Sequence, residues 1–257
     1  RDRSIVVDLF QGQLLNTIVC GKCHSTKVKF EPFMYLSLPI SKTTRTTLED
    51  CLQLYCQVEQ LSGQNQWYCG KCEKHVNATK KLDLWMLPPI LIVHLKRFTS
   101  TGNKIDSCIQ YPLCNWNVPT TKSSTNPNTF DLYAISHHSG GLQGGHYTAT
   151  VKNRFNDDWY EMDDSQTRRV DQISNKDSRA YCLFYNRVDT SNGKSAKIMR
   201  QSVNRPELWP HMQLNTDNVT SFRRSTIVKS IPPPPSSTPV NGGDDVQVNS
   251  DMAAISE

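Results

Sequence analysis

Two identical tetrapeptides, Cys20-Gly21-Lys22-Cys23 and Cys69-Gly70-Lys71-Cys72, carry the strongest chemical signal in the sequence. Two residues between cysteines let a pair close on a tight knuckle with both sulfurs aimed at one point. Two such pairs make a tetrahedral four-thiolate shell, in which zinc sits at about 2.3 Å from each sulfur. Zinc is the commonest occupant of such a shell. A closed shell leaves no position for substrate, so a structural role is expected. A redox role needs one Cys-x-x-Cys at a helix start rather than a matched pair. With 45 residues between the pairs, the metal would staple two distant strand ends. His24 and His75 lie close by and could replace a ligand, but with four cysteines present they are expected beside the site.

A second signal is Gly144-Gly145-His146-Tyr147. A strand-like run, His146 to Lys152, leads into a polar turn, Asn153 to Asp158, and a second run ending in Asp163-Asp164. In a hairpin centred near residue 155, paired positions sum to about 310, so His146 falls opposite Asp163 to Ser165. A carboxylate there accepts the imidazole N–H, fixes its tautomer and stabilises the imidazolium. The glycines ahead of His146 leave room for a close-passing backbone. The same residues also suit an ordinary hairpin with a surface histidine and an acidic turn, and the spacing leaves both readings open.

The elements that must position these groups are mostly strands. Extended runs are expected over Lys27–Leu38, Leu82–Leu87, Ile90–Phe98, Phe130–Ser136, His146–Lys152, Trp159–Asp163 and Ala180–Asn186. Pro88-Pro89 does not fit a central strand and marks a boundary. Leu48, Cys51, Leu52 and Tyr55 follow helical spacing, with Thr47 and Asp50 as an N-terminal cap. Pro119 to Asn128 reads as a surface loop. The class is therefore α+β with much antiparallel sheet.

The folded part is expected to be residues 1–187. Residues 188–257, with Pro232 to Pro235 and many Ser, Thr and Asn, are expected to be a disordered, low-complexity tail. The four prolines suit a stiff linker, or more weakly an SH3-type partner. The tail's seven basic and seven acidic residues cancel, so the net +5 belongs to residues 1–187. That scattered excess gives no concentrated basic face, which argues against a zinc-ribbon nucleic-acid binder. No run approaches the ~20 apolar residues of a membrane span, so no membrane insertion is expected. Nine cysteines, an odd number in which five stand alone, suit a reducing compartment with a metal site rather than a disulfide framework.

From about Asp8 to Tyr185 the sequence resembles the ubiquitin-specific protease family of papain-like cysteine deubiquitinases. The resemblance runs in order through Asp8-Leu9-Phe10-Gln11-Gly12, Phe33-Met34-Tyr35-Leu36-Ser37-Leu38-Pro39, Trp67-Tyr68 with the second cysteine pair, Leu87-Pro88-Pro89, His94-Leu95-Lys96-Arg97-Phe98, Gly144-Gly145-His146-Tyr147 and Ala180-Tyr181-Cys182-Leu183-Phe184-Tyr185. The wording of Asp8–Pro39 and Ser136–Thr148 is closest to the UBPY-like branch. The resemblance implies a hand-like fold with fingers, palm and thumb, the zinc ribbon at the fingertips and the histidine strands in the palm. It implies that His146 is the catalytic histidine, that Asp163 orients it with Asp164 as a neighbour able to share the role, and that His137–Gly145 is a loop over the ubiquitin tail. Ubiquitin and ubiquitinated proteins are the implied partners, and the cytoplasm, with endosome association, the implied location.

The family's nucleophile box, of the Asn-x-x-Asn-x-Cys type, is absent. Cys20 is committed to the metal. The isolated Cys51, Cys56, Cys108, Cys114 and Cys182 are expected to be buried or inert thiols. Arg1 is no translation start, and the expectation is a fragment of a thiol-dependent deubiquitinase whose thumb and nucleophile lie upstream. Without the thumb, apolar palm surface would be exposed and the piece poorly soluble. The alternatives are a non-catalytic ubiquitin-binding module and an inactive homologue.

Overall fold

The computed structural model describes residues 4–41, 46–122 and 128–189, and the backbone of Lys194 and Ser195. The chain divides into two units, Arg1–Asn204 and Arg205–Glu257, and all described residues belong to the first. Most of the expected tail, including its four prolines, and residues 123–127 of the expected Pro119–Asn128 loop lie outside the described residues.

The chain opens with α1 (Ile5–Phe10), β1 (Gly12–Cys20), β2 (Thr26–Phe33), β3 (Leu36–Pro39), β4 (Thr46–Thr47) and α2 (Leu48–Tyr55). Next come β5 (Glu59–Leu61), β6 (Trp67–Cys69), β7 (Lys74–Val76), β8 (Ala78–Met86), β9 (Ile90–Lys96), β10 (Ile109–Gln110) and β11 (Trp116–Asn117). The last are β12 (Thr129–Gly141), β13 (Gly144–Lys152), β14 (Trp159–Asp163), β15 (Gln166–Val170), β16 (Lys176–Asp177), β17 (Ala180–Asp189) and β18 (Lys194–Ser195).

The helix expected at Thr47–Tyr55 is α2. Thr47 Oγ1 accepts the Asp50 N–H at 3.1 Å and Asp50 Oδ2 accepts the Thr47 N–H at 2.8 Å, a closed capping box. Leu48, Cys51 and Leu52 form its buried stripe. Against it lies a nine-stranded sheet, ordered β15-β14-β13-β12-β17-β9-β3 with β11 on β12 and β18 on β17. Leu36, Leu38, Leu91, Val93, Leu95 and Leu183, all fully shielded from solvent, join α2 in the core. A separate four-stranded sheet, β2-β1-β8-β5, carries the first cysteine pair at the end of β1, and the β6–β7 hairpin carries the second. The chain passes between the two sheets at Leu87-Pro88-Pro89, the expected boundary, and at Met34-Tyr35.

Three expectations are corrected. The run Lys27–Leu38 is two strands in two sheets, β2 ending at Phe33 and β3 beginning at Leu36, although Phe33, Leu36 and Leu38 all join the main core. The unbroken apolar stretch Phe33–Leu36 hid the break at the exposed Met34 and Tyr35. The stretch His137–Gly145 is not a loop. β12 continues to Gly141, pairs Ser139 with His146 and Gly140 with Gly145, and turns over Leu142-Gln143 alone. Glycine composition reads as loop, yet this ladder needs only main-chain groups. The ladder also continues past Arg187, since β17 reaches Asp189 and pairs with β18. The short α1, whose Ser4 side chain accepts the Val6 N–H, and β1 were not anticipated.

Candidate active site and metal centre

The knuckles close in the same way. His24 N–H donates to Cys20 O and Glu73 N–H to Cys69 O, and both donors sit in left-handed backbone, at φ 56° and 54°. Sulfurs from opposite knuckles approach closely, Cys20 Sγ to Cys72 Sγ at 3.9 Å and Cys23 Sγ to Cys69 Sγ at 3.7 Å. All four lie within 4.8 Å of one another. A tetrahedron with metal–sulfur distances of about 2.3 Å has edges of about 3.8 Å, so the arrangement fits a tetrathiolate metal without rearrangement. Lys22 and Cys23 N–H groups point at Cys20 Sγ, both at 3.4 Å, as donors to a thiolate should. Hydrogen bonds from Ser25 draw the Cys23 thiol down to about 6, whereas Cys23 beside Cys72 pushes that thiol up to about 12. Clustered thiols cannot all ionise together unless a cation joins them. Cys20 and Cys69 are buried, and the exposed His24 and His75 are not in the cluster. The letter-for-letter repeat conceals an asymmetry. A Cβ on Gly21 would lie 2.7 Å from Asn77 O, whereas around Gly70 the space is open.

His146 stands at the start of β13 and Asp163 at the end of β14. The ladder runs from Lys152↔Trp159 to Ala149↔Met162 and ends there, so paired numbers sum to 311. His146 therefore meets Asp163 on the diagonal rather than directly across, on the same face of the sheet. Its Nε2 lies 2.5 Å from Asp163 Oδ1, a short charge-assisted hydrogen bond. That bond, then the Asp163 charge, raises the imidazole above its ordinary value; partial burial opposes and Asp164 adds to the rise. Nδ1 makes no hydrogen bond among the described residues and is free to face a reacting group. Asp164 is the first residue of the two-residue turn into β15, at φ 47°, and its carboxylate lies within 4.8 Å of the dyad. Asp and Asn tolerate this conformation better than other side chains.

Behind the dyad stand three groups that the sequence reading did not single out as site residues. The buried His138 ring packs among Phe98, Tyr147 and Tyr181, at centroid distances of 5.6, 4.7 and 5.6 Å. Its burial and nearby Lys104 hold it below the ordinary histidine value, opposite to His146. A Cβ on Gly145 would lie 2.3 Å from His138 Nε2, so only glycine fits directly before His146. On the other face His137 Nε2 meets Thr150 Oγ1 at 2.9 Å, and its Nδ1 lies 3.2 Å from Asp177 Oδ2, close enough for an ion pair although off the best hydrogen-bond line. Burial alone would raise Asp177. His137, the Arg179 N–H and the Arg179 guanidinium outweigh it and hold the carboxyl well below the usual range. Arg97, fully buried, donates to the carbonyls of Ala180, Ile105, Ser107 and Asp177 at 2.6, 2.9, 3.0 and 3.2 Å. Adjacent histidines at 137 and 138 were the only available hint of the first two.

None of the nine cysteines joins the His146 group among the described residues. Burial raises the Cys51 thiol to about 11 and lifts Cys56 and Cys182 as well. Of the five isolated cysteines expected to be buried or inert, Cys108 and Cys114 are exposed, each in an irregular segment beside a two-residue strand.

A family model described as ubiquitin carboxyl-terminal hydrolase matches residues 1–185. Mouse ubiquitin carboxyl-terminal hydrolase 15 is 44% identical over 155 residues, covering 57% of this chain and 15% of that protein. Chicken ubiquitin carboxyl-terminal hydrolase 2 is 36% identical over 198 residues, covering 75% of this chain and 56% of that protein. The chain thus spans little more than half of the second and a small part of the first. A solved structure described as the SAGA Ubp8/Sgf11/Sus1/Sgf73 DUB module bound to ubiquitin aldehyde superposes with a TM-score of 0.62 at 29% identity, over 73% of this chain and 43% of that one. The yeast SAGA DUB module carrying a mutant Sgf73 gives 0.64 at 31% identity, over 74% and 43%.

Proposed function

The chain belongs to the ubiquitin carboxyl-terminal hydrolase family, and on that footing we propose that it is the part of a thiol-dependent deubiquitinase that supplies the histidine and its carboxylate. The observation that carries this reading is the His146–Asp163 contact at 2.5 Å, made through Nε2. It leaves Nδ1 to take the proton of a cysteine thiol and later to deliver it to the leaving amine. Asp163 fixes the tautomer and stabilises the imidazolium; Asp164 adds negative charge beside it. The thiolate attacks the carbonyl carbon of the last ubiquitin residue, the amine departs with the proton from His146, and water then releases the acyl group. Because no cysteine sulfur of this chain joins His146, the attacking thiol comes from residues outside these 257. Residues 1–187 are read as fingers and palm of the catalytic domain, and 188–257 as a tail.

Cys20, Cys23, Cys69 and Cys72 are read as zinc ligands, supported by sulfur separations near a tetrahedral edge. Zinc held there would supply a structural crosslink and no reaction chemistry. Ubiquitin and its conjugates are the proposed partners, since the solved relatives include complexes with ubiquitin aldehyde and monoubiquitin. The wording of Asp8–Pro39 supports the finer UBPY-like placement and, with it, a cytoplasmic, endosome-associated location; the relatives named above carry other designations.

A second reading, ubiquitin binding without cleavage, is favoured by that same lack of a thiol beside His146. Ubiquitin with a thiol-reactive C-terminus separates the two. No labelling of this chain alone, with labelling of the longer protein that includes it, supports the hydrolase. In that longer protein His146→Ala should lower turnover by about 10²–10⁴-fold and leave ubiquitin binding in place; unchanged turnover would sink the assignment.

A further inference from the structure

The two knuckles share Cys-Gly-Lys-Cys and its backbone but differ in the two residues that follow. Five residues after the first cysteine stands Ser25 in one and Lys74 in the other. Cys20 N–H donates to Ser25 O at 3.0 Å, which ties Ser25 into the first knuckle. Its hydroxyl then lies 3.1 Å from Cys23 Sγ and 3.6 Å from Cys69 Sγ. It thus stands between one sulfur of its own knuckle and one from the opposite knuckle, 44 residues on. The exposed Lys74, at the matching place, offers no hydroxyl.

With a divalent ion bound, all four sulfurs are thiolates and can only accept, so the hydroxyl must donate its single proton, to Cys23 at 3.1 Å with Cys69 at 3.6 Å as the weaker arm of a three-centre bond. Four thiolates and one divalent ion carry a net charge of −2, and every donor aimed at a sulfur relieves part of it. Groups that orient and neutralise ligands in this way set metal affinity nearly as strongly as the ligands themselves. We propose that Ser25 is the positioning residue of the metal centre, its hydroxyl holding Cys23 and Cys69 together across the two knuckles and tightening zinc binding. This rests on the zinc reading above and deepens it.

The test uses the full chain, stripped of metal and titrated with zinc against a chromogenic chelator. Ser25→Ala should weaken zinc binding by about tenfold or more, and Ser25→Thr should restore it. Loaded with cobalt, Ser25→Ala should shift the sulfur-to-metal charge-transfer band, and Ser25→Thr should return it. A hydroxyl that merely packed would leave that band unmoved. If the alanine variant does not fold, Ser25→Thr against Ser25→Val gives the same comparison with one shape. Equal zinc affinity and an equal band within either pair overturns the role of Ser25. Wild type that binds no zinc, or binding unaffected by Cys20→Ser, overturns the metal reading itself.

Discussion

Replacing Arg97, which hydrogen-bonds to none of His146, Asp163 and the cysteines, with Met should unfold the large sheet and its core at lower denaturant. The Arg97 side chain is wholly buried and donates to four carbonyls, those of Ala180, Ile105, Ser107 and Asp177. Burial lowers its own affinity for the proton, and the Asp177 and Asp106 charges work against that loss, so the guanidinium is held by local acceptors and charges. Methionine keeps much of the length and volume but supplies no donor. Each carbonyl left unpaired in the interior costs about 1–3 kcal/mol. Each has a second lone pair and some admit water, so about half of the summed cost is expected to survive. The flexible Met chain offsets a further part by avoiding the desolvation of a charge. The net loss comes to about 1–5 kcal/mol, centred near ~3, a large share of the ~5–15 kcal/mol that holds an average domain. Urea unfolding at saturating zinc, followed by tryptophan fluorescence, should show the midpoint falling by about 1.5 M, taking a slope of about 2 kcal/mol per M. Arg97→Lys should fall between, because one ammonium cannot span four carbonyls. A midpoint within about 0.5 M of wild type for Met would refute the claim that these carbonyls depend on Arg97.

Asp177, held low in the fold, contributes stability that is present above the unfolded carboxyl value near 3.8 and is lost as pH falls through the folded value; unfolding below about pH 4 should therefore steepen, and Asp177→Asn should flatten that limb in an acid titration. In the longer, thiol-bearing protein proposed above, Asp163→Asn removes the partner that raises His146. The imidazolium then deprotonates earlier, so the neutral base is present at lower pH and the acid limb of the rate profile should move to lower pH; an unmoved limb would dissociate Asp163 from the histidine. Gly145→Ala should reduce turnover at least tenfold by driving a methyl against His138 Nε2, with thermal stability as the control for global damage. Gly21→Ala should weaken zinc binding where Gly70→Ala does not, because only Gly21 is pressed against Asn77 O.

Much of this site could be read in the sequence because its constraints are local. Cys-x-x-Cys fixes a knuckle whatever surrounds it, Thr47 and Asp50 cap α2 from three residues apart, and the polar turn at Asn153–Asp158 sets a hairpin register to within one residue. The hidden parts are long-range. Arg97 reads as a surface charge beside Lys96, and only the fold brings Asp177 O to it across 80 residues. His137 gains its meaning from Thr150 on the next strand and Asp177 on β16. The glycines of His137–Gly145 read as loop because composition reports side chains, while that ladder is made by the backbone.

The cysteine cluster and the His146–Asp163 pair sit on different sheets, and this fixes how far loss of a metal held by the cysteines would travel. The cysteines terminate the sheet β2-β1-β8-β5 and the β6–β7 hairpin, while His146 and Asp163 lie on β13 and β14 of the large sheet. The small cluster under the metal, Cys20, Cys69 and Val76 with Trp67 against it, does not join the main core. A structural zinc adds its binding energy to the elements it ties together, so chelation should melt β6 and β7 and fray the ends of β1 and β8. Stability is not uniform across a structure, and elements that share no core open separately. The His146 imidazole, followed by proton NMR, should therefore keep its raised titration after chelation, while amide exchange at Tyr68, His75 and Val76 rises to the unprotected rate. A His146 titration that returns to the ordinary value on metal removal would mean that the two sheets fold as one unit and that the centre shapes the catalytic geometry directly.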